Sequence, residues 1–169
     1  MSLNIIVCAK QVMDPETPMS AFNVDEAAKR VVPAQGIPPV VNGFCENAVE
    51  AALKVKEGVG DATITVISVG NDFVMDVMKK PLSMGADQMI LVQDPATELL
   101  VALGSASVLS KAIDKFGEAD IVICGQQASD WDNAHVPMGI SEMLGMACLS
   151  EARTIDICLL YTSPSPRDS

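Results

Sequence analysis

Aromatic side chains are scarce in this chain: one Trp, one Tyr and four Phe make up 4% of its 169 residues. The apolar fraction of 49% therefore rests on Val, Ile, Leu, Ala and Met. That palette suits strands buried on both faces and covered by helices. Basic residues are also few, 11 against 22 acidic ones, for a formal net charge of -11. Such a balance excludes a nucleic-acid footprint, because phosphate contacts are made by Lys and Arg. The acidic surface is read as keeping the protein soluble ahead of docking a basic partner.

Long hydrophobic runs are missing too. Nothing approaches the roughly 18 apolar residues that a membrane span needs. The opening MSLNIIVCAKQ has no basic lead, and its apolar run is too short for a signal peptide. There is a single His, and Cys8, Cys45, Cys124, Cys148 and Cys158 are scattered without a CxxC pair. That pattern speaks against both a zinc site and a disulfide framework. The expectation is a reduced, cytoplasmic protein with no membrane insertion, one domain long and large enough to bury a core.

Enzyme signatures are absent as well. No GxGxxG follows the first strand, and neither GxxxxGK[ST] nor GxSxG occurs. Any His-based triad would have to centre on His135, and nothing in the spacing brings it to Ser129, Asp130 or Asp132. His135 at a helix start reads as a cap or polar contact. Asp130 and Asp132 read as capping acids ahead of a metal pair. Trp131 reads as a loop anchor or a lid over a ring.

What is present alternates strand and helix. Residues 4–9 (NIIVCA) form a continuous apolar run that predicts a first central strand. A loop with two X-Pro steps follows, then a weak hairpin over 21–24 and 30–32, limited by Pro33, Pro38 and Pro39. Asn42 reads as the N-cap of a helix running to about Glu57, with Ala48, Val49, Ala52 and Leu53 inward, a Glu50–Lys54 pair, and Gly58 and Gly60 at its end. Residues 62–69 (ATITVISV) predict a second strand. The next helix carries Phe73, Val74, Val77 and Met78 and is expected to kink or stop near Lys80, because Pro81 removes an amide. A third strand over 88–92 leads to a long helix over 98–116, with Leu99, Leu100, Leu103, Ala106, Leu109 and Ile113 inward. Residues 121–124 predict a fourth strand. After the loop, a helix from about Asn133 places Val136, Ile140, Met143 and Leu144 on one side, and 147–157 is a possible last strand. This order implies an α/β fold: a doubly wound parallel sheet of the Rossmann-like, adenine-nucleotide-binding type with a small N-terminal hairpin.

The last stretch, CLLYTSPSPRD from Cys158, follows neither period and resembles a translated library adapter; a disordered Ser/Pro tail is the alternative. The domain is accordingly expected over 1–157, incomplete, with 158–169 a non-native tail excluded from fold reasoning.

In doubly wound sheets, ligands lie beyond the carboxyl ends of the strands at a topological switch point. Three segments are expected to meet there: Cys8-Ala9, Val69-Gly70, and the loop from Gly125 to Val136. Small residues (Ala9, Gly70, Gly125, Ala128) let backbone approach a flat base. The helix start at Asn133, Ala134 and His135 can offer amides to a phosphate, as can the one at Asn42–Cys45, although its plain reading is structural.

The segments NIIVCAKQV, NGFCENAVEAALKVKE, VISVG, MGAD and CGQQASDWDNAHVP, in that order over residues 4–149, resemble the β (small) subunit of electron-transfer flavoproteins, the FixA-like family. The resemblance implies an electron carrier, not an enzyme. It would be a heterodimer with an α subunit that holds most of a shared FAD, and its own site would hold AMP or, in bifurcating members, a second FAD. It further implies acyl-CoA or other dehydrogenases as donors and a quinone reductase or ferredoxin as acceptor. Carried over residue by residue, the nucleotide contacts are Cys8, Asn42, Gly43, Phe44, Cys45 and Val69, with Gly125, Gln126, Gln127, Ala128, Ser129, Asp130, Trp131, Asp132, Asn133, Ala134, His135 and Val136 as the main loop. The family more often has Pro at position 43, Gly or Asp at 131, Thr at 133 and Gln at 135, which leaves AMP versus FAD open. Family β subunits also continue well beyond this chain, so the polypeptide as given is not expected to form a competent complex. Two readings stand behind this one: a homodimeric regulatory module like a universal stress protein, and an ATP-using enzyme, which the missing Gly-Ser-rich phosphate loop disfavours.

Overall fold

Runs of β-branched residues occupy the centre of the molecule. The computed structural model describes residues 2–157 except Ala28, Pro33, Ala34 and Leu99. The adapter-like tail, Pro33 and the inward placement of Leu99 thus lie outside the described residues. In chain order the elements are β1 (Leu3–Cys8), β2 (Gln11–Val12), a 3-10 turn (Met19–Ala21), β3 (Asn23–Asp25), β4 (Arg30–Val32) and β5 (Val40–Val41). Then come α1 (Gly43–Val59), β6 (Ala62–Gly70), α2 (Met75–Met78), α3 (Lys80–Met84), β7 (Gln88–Gln93) and a second 3-10 turn (Pro95–Thr97). α4 (Ala102–Phe116), β8 (Ile121–Cys124) and α5 (Val136–Leu144) complete the series.

Four strands form one parallel sheet in the order β7-β6-β1-β8. The chain steps outward from β1 to β6 and β7, then returns across β1 to lay β8 on its other side. The switch point therefore falls between β1 and β8, whose last residues, Cys8 and Cys124, are in register. Successive side chains of β1 alternate between two cores. Ile5 and Val7 join Ala48, Val49, Ala52, Ile64 and Val66 beneath α1 and α3. Ile6 and Cys8 join Ile67, Ala106, Leu109, Ile113 and Ile140 beneath α4 and α5. This three-layer α/β arrangement is the expected one.

The N-terminal hairpin exists as expected: β3 and β4 pair antiparallel, from Asn23 opposite Val32 to Asp25 opposite Arg30. A second small pairing, β2 with β5, went unread in the sequence because each strand has only two residues. The Glu50–Lys54 pair forms on the exposed face of α1 at 3.5 Å. The segment after Gly70 breaks at Lys79 and restarts, which places Pro81 in the first turn of α3, where its missing amide costs nothing.

Several expectations require correction. α4 starts at Ala102, not 98, because Pro95–Thr97 first makes a 3-10 turn under the Asp94 carboxylate. Leu103 is 65% exposed and not inward; Ala106, Leu109 and Ile113 are the buried stripe. α5 starts at Val136 and not Asn133, since Asp132 and Ala134 adopt positive φ and interrupt any helix there. Met143 leaves the inward stripe and is exposed. Residues 147–157 form no strand; only Ile155 packs, on the α1 side. Among the described residues no helix is long and apolar enough to cross a membrane.

Candidate functional site

At the carboxyl ends of β1 and β8 the backbone leaves the sheet at Ala9 and Gly125, opening a crevice beside the start of α1. Gly125 is held tightly: a Cβ on it would lie 2.7 Å from the Phe44 carbonyl carbon and 2.9 Å from the Cys45 nitrogen. The loop from Gly125 onward therefore runs over the first turn of α1, and only glycine permits that approach.

Asn42 has a different role from the expected side-chain cap. It occupies the N-cap position of α1, but its side chain makes no capping bond. Its carbonyl accepts from Cys45 N at 2.8 Å, while its side chain, 1% exposed, turns to the loop. Nδ2 donates to the Gln127 carbonyl at 2.8 Å and to Cys45 Sγ at 3.2 Å. Oδ1 accepts the Ser129 amide at 3.2 Å. One buried amide thus joins the helix start to a loop 85 residues away.

Lys10, which the sequence reading passed over as a site residue, supplies a second tie. Its Nζ lies 2.6 Å from Asp130 Oδ2. A cation directly after a buried strand, facing an acidic loop, was the signal that could have found it. Gln127 Nε2 donates to Asp132 Oδ1 at 2.8 Å. Both loop carboxylates are therefore engaged, and among the described residues no group of three or more His, Cys, Asp and Glu is placed to hold a metal.

The loop also consumes some of its own amides. Trp131 N and Asp132 N both donate to the Ala128 carbonyl, at 3.2 and 2.8 Å. With Ser129 N bound to Asn42, these three donors face inward. The amides of Asn133, Ala134 and His135 have no backbone acceptor among the described residues, and the first-turn amides of α1 at Gly43 and Phe44 are free by helix geometry. A Cβ on Gly43 would meet nothing within 4 Å, so that position opens outward. Gln126 and His135 are exposed, and Val136 is half-buried against the α4–α5 core. Trp131 is 75% exposed and anchors nothing, which corrects that half of its reading. Val69 packs its side chain on the α4 side of the sheet and so does not face α1. Gly70 owes its size to the Phe73 ring, 3.0 Å from where a Cβ would stand.

Three free thiols gather at this end of the sheet, Cys45 on the α1 side and Cys8 and Cys124 on the α4–α5 side. A hydrogen bond with Cys124, together with burial, raises the Cys8 pKa well above the ordinary thiol value. Burial also raises that of Cys45, partly offset by hydrogen bonds from Asn42 and the Lys10 backbone. Both stay protonated at neutral pH, so neither is a ready nucleophile. Two concavities lie elsewhere. One of about 370 Å³ is lined by Val40, Val41, Val77 and Lys80; another, of about 310 Å³, lies at the opposite end of the sheet beside Gly117 and Leu144. They lack the convergence of loop, helix start and switch point, so the crevice is the better candidate. What it presents is chiefly backbone amides.

The Electron transfer flavoprotein domain family model matches residues 29–162. The chain is 37% identical over 155 residues to "Electron transfer flavoprotein subunit beta" of Thermoanaerobacterium thermosaccharolyticum, covering 92% of this chain and 57% of that protein. It is 36% identical over 161 residues to the protein of the same name from Megasphaera elsdenii, covering 92% and 58%. "Protein FixA" of Azorhizobium caulinodans is 32% identical over 152 residues, covering 88% and 52%. The chain therefore spans little more than half the length of these relatives. With the parallel sheet and the switch-point loop in place, the chain belongs to the electron transfer flavoprotein family, on its β-subunit and FixA-like side.

Proposed function

We propose that the chain is the nucleotide-binding part of the β subunit of a heterodimeric electron-transfer flavoprotein: a carrier component that binds a nucleotide, docks an α subunit and shapes the environment of a shared FAD. The observation that carries the reading is the loop of residues 125–135, tied over the first turn of α1 by Asn42 and Lys10 at the switch point. The nucleotide is AMP or a second FAD. Its contacts come from Cys8, from Asn42 through Cys45, from the backbone at Val69, and from Gly125 through Val136. Free amides at 43–44 and 133–135 suit a phosphate, and exposed Trp131 can cover a ring. Dehydrogenases donate the electrons and a quinone reductase or ferredoxin accepts them, in the cytoplasm.

The test is to co-express the gene with a candidate α-subunit gene and analyse the purified product. A heterodimer carrying flavin and AMP, or flavin alone at two per dimer, is expected. A product with neither ligand nor partner overturns the reading.

A further inference from the structure

The parallel register places Cys8 and Cys124 directly opposite each other as the last residues of neighbouring strands. Both side chains lie on the α4–α5 face. Neighbouring strands are about 4.8 Å apart. That spacing is inside the Cα window for a disulfide and slightly wider than the usual Cβ window of about 3.5–4.5 Å. Closing the gap requires the end of β8 to be drawn toward β1. Cys124 is followed at once by Gly125, where even a Cβ would lie within 2.9 Å of the backbone of Phe44 and Cys45, so the chain has little room to shift there. Any movement of Cys124 is therefore passed to the loop that Asn42 and Lys10 hold.

We propose that Cys8 and Cys124 form a reversible disulfide that displaces the loop of residues 125–135 and weakens nucleotide binding in the crevice. The coupling to the nucleotide rests on the proposed function; the disulfide itself does not. The oxidant is a low-molecular-weight disulfide. Cys124, more exposed than Cys8, attacks it as thiolate, forming a mixed disulfide and releasing one thiolate of the reagent. Cys8 passes its proton to the released reagent thiolate and attacks the Cys124 sulfur, slowly because burial disfavours its thiolate, releasing the second. Two protein thiols are oxidised by two electrons, and one reagent disulfide is reduced to two thiols. Cys45 lies on the α1 side of the sheet and is the competing partner that the mapping must exclude.

The experiment uses the full chain carrying Cys148→Ser and Cys158→Ser, treated with glutathione disulfide, blocked with N-ethylmaleimide and digested with trypsin. In this sequence Cys8 falls in the peptide ending at Lys10, Cys45 in one ending at Lys54, and Cys124 in one running from 116 to Arg153. The expected product is a dithiothreitol-sensitive link between the first and third of these, lost in Cys124→Ala. AMP affinity by calorimetry is expected to fall at least about tenfold on oxidation and to recover on reduction. A link through Cys45, or no link, overturns the proposal. A Cys8–Cys124 link with unchanged AMP affinity overturns its regulatory part. A reduced protein that binds neither AMP nor FAD counts against the proposed function and leaves the mapped disulfide standing. If Cys124→Ala does not fold, Cys8→Ala supplies the same control.

Discussion

The crevice loop and the N-terminal hairpin are both irregular excursions from the sheet, yet they are held by opposite means. Residues 125–135 are fastened by Asn42 and Lys10, which lie 85 to 120 residues away in the chain, around a glycine with no room for a side chain. The β3–β4 hairpin is held by its own ladder, and Val24, Val31 and Val32 are left exposed. A few long-range polar bonds can specify one loop shape where apolar burial is small, whereas a two-stranded ladder alone specifies little beyond itself. The loop should therefore be sensitive to single substitutions, and the hairpin indifferent to them.

Asn42→Ala should have the largest effect. It leaves the Gln127 carbonyl and Ser129 amide unpaired beside the core, for a loss of about 2–4 kcal/mol. Chemical denaturation checks the stability, and hydrogen exchange of the 126–132 amides should rise. Gly125→Ala comes next, at about 1–3 kcal/mol, because its new methyl meets backbone that cannot rotate away. The same denaturation measurement applies, and AMP affinity should fall with it.

Asp87→Asn gives a smaller and pH-dependent change. Its carboxylate accepts the Ile64 amide at 2.7 Å and the Lys56 ammonium at 2.6 Å, which lower its pKa. Its folded pKa lies below the unfolded value, so the stabilisation is fully present above the usual carboxylate range and disappears as pH falls through the folded pKa. At 38% exposure, water screens the contribution to about 0.5–1 kcal/mol. Parallel urea titrations should separate wild type from variant at neutral pH and bring them together in acid. Val24→Ser should have the least effect, within about 0.5 kcal/mol, since the side chain touches little. A large loss there would show that the hairpin supports the core and would dissolve the contrast.

Much of this was legible in residue order. The runs at 4–9, 62–69, 88–92 and 121–124 became strands because continuous apolar, β-branched sequence has few alternatives. Ala48, Val49 and Ala52 became the buried stripe of α1 because helical spacing leaves them on one side. The errors cluster where local signals compete. Residues 98–101 have helical composition, but the Asp94 carboxylate captures the Ala96 amide and delays α4. Leu103 and Met143 fit the helical period, yet no neighbouring layer reaches them. The candidate site was half legible: small residues after β1 and β8 marked the crevice, whereas Gly70 answers to the Phe73 ring. Asn42 was read as a cap, and Lys10 was missed as a site residue, because their partners lie far away in the chain.

The sequence by itself determined the alternation of strand and helix, the two-faced apolar strands and the glycine at 125, since each depends on residue type and short-range spacing. Only the tertiary structure decided that β8 returns beside β1, that Cys8 faces Cys124, and that Asn42 and Lys10 close the loop. Those outcomes depend on which distant segments come to share one sheet edge, and no local period records that.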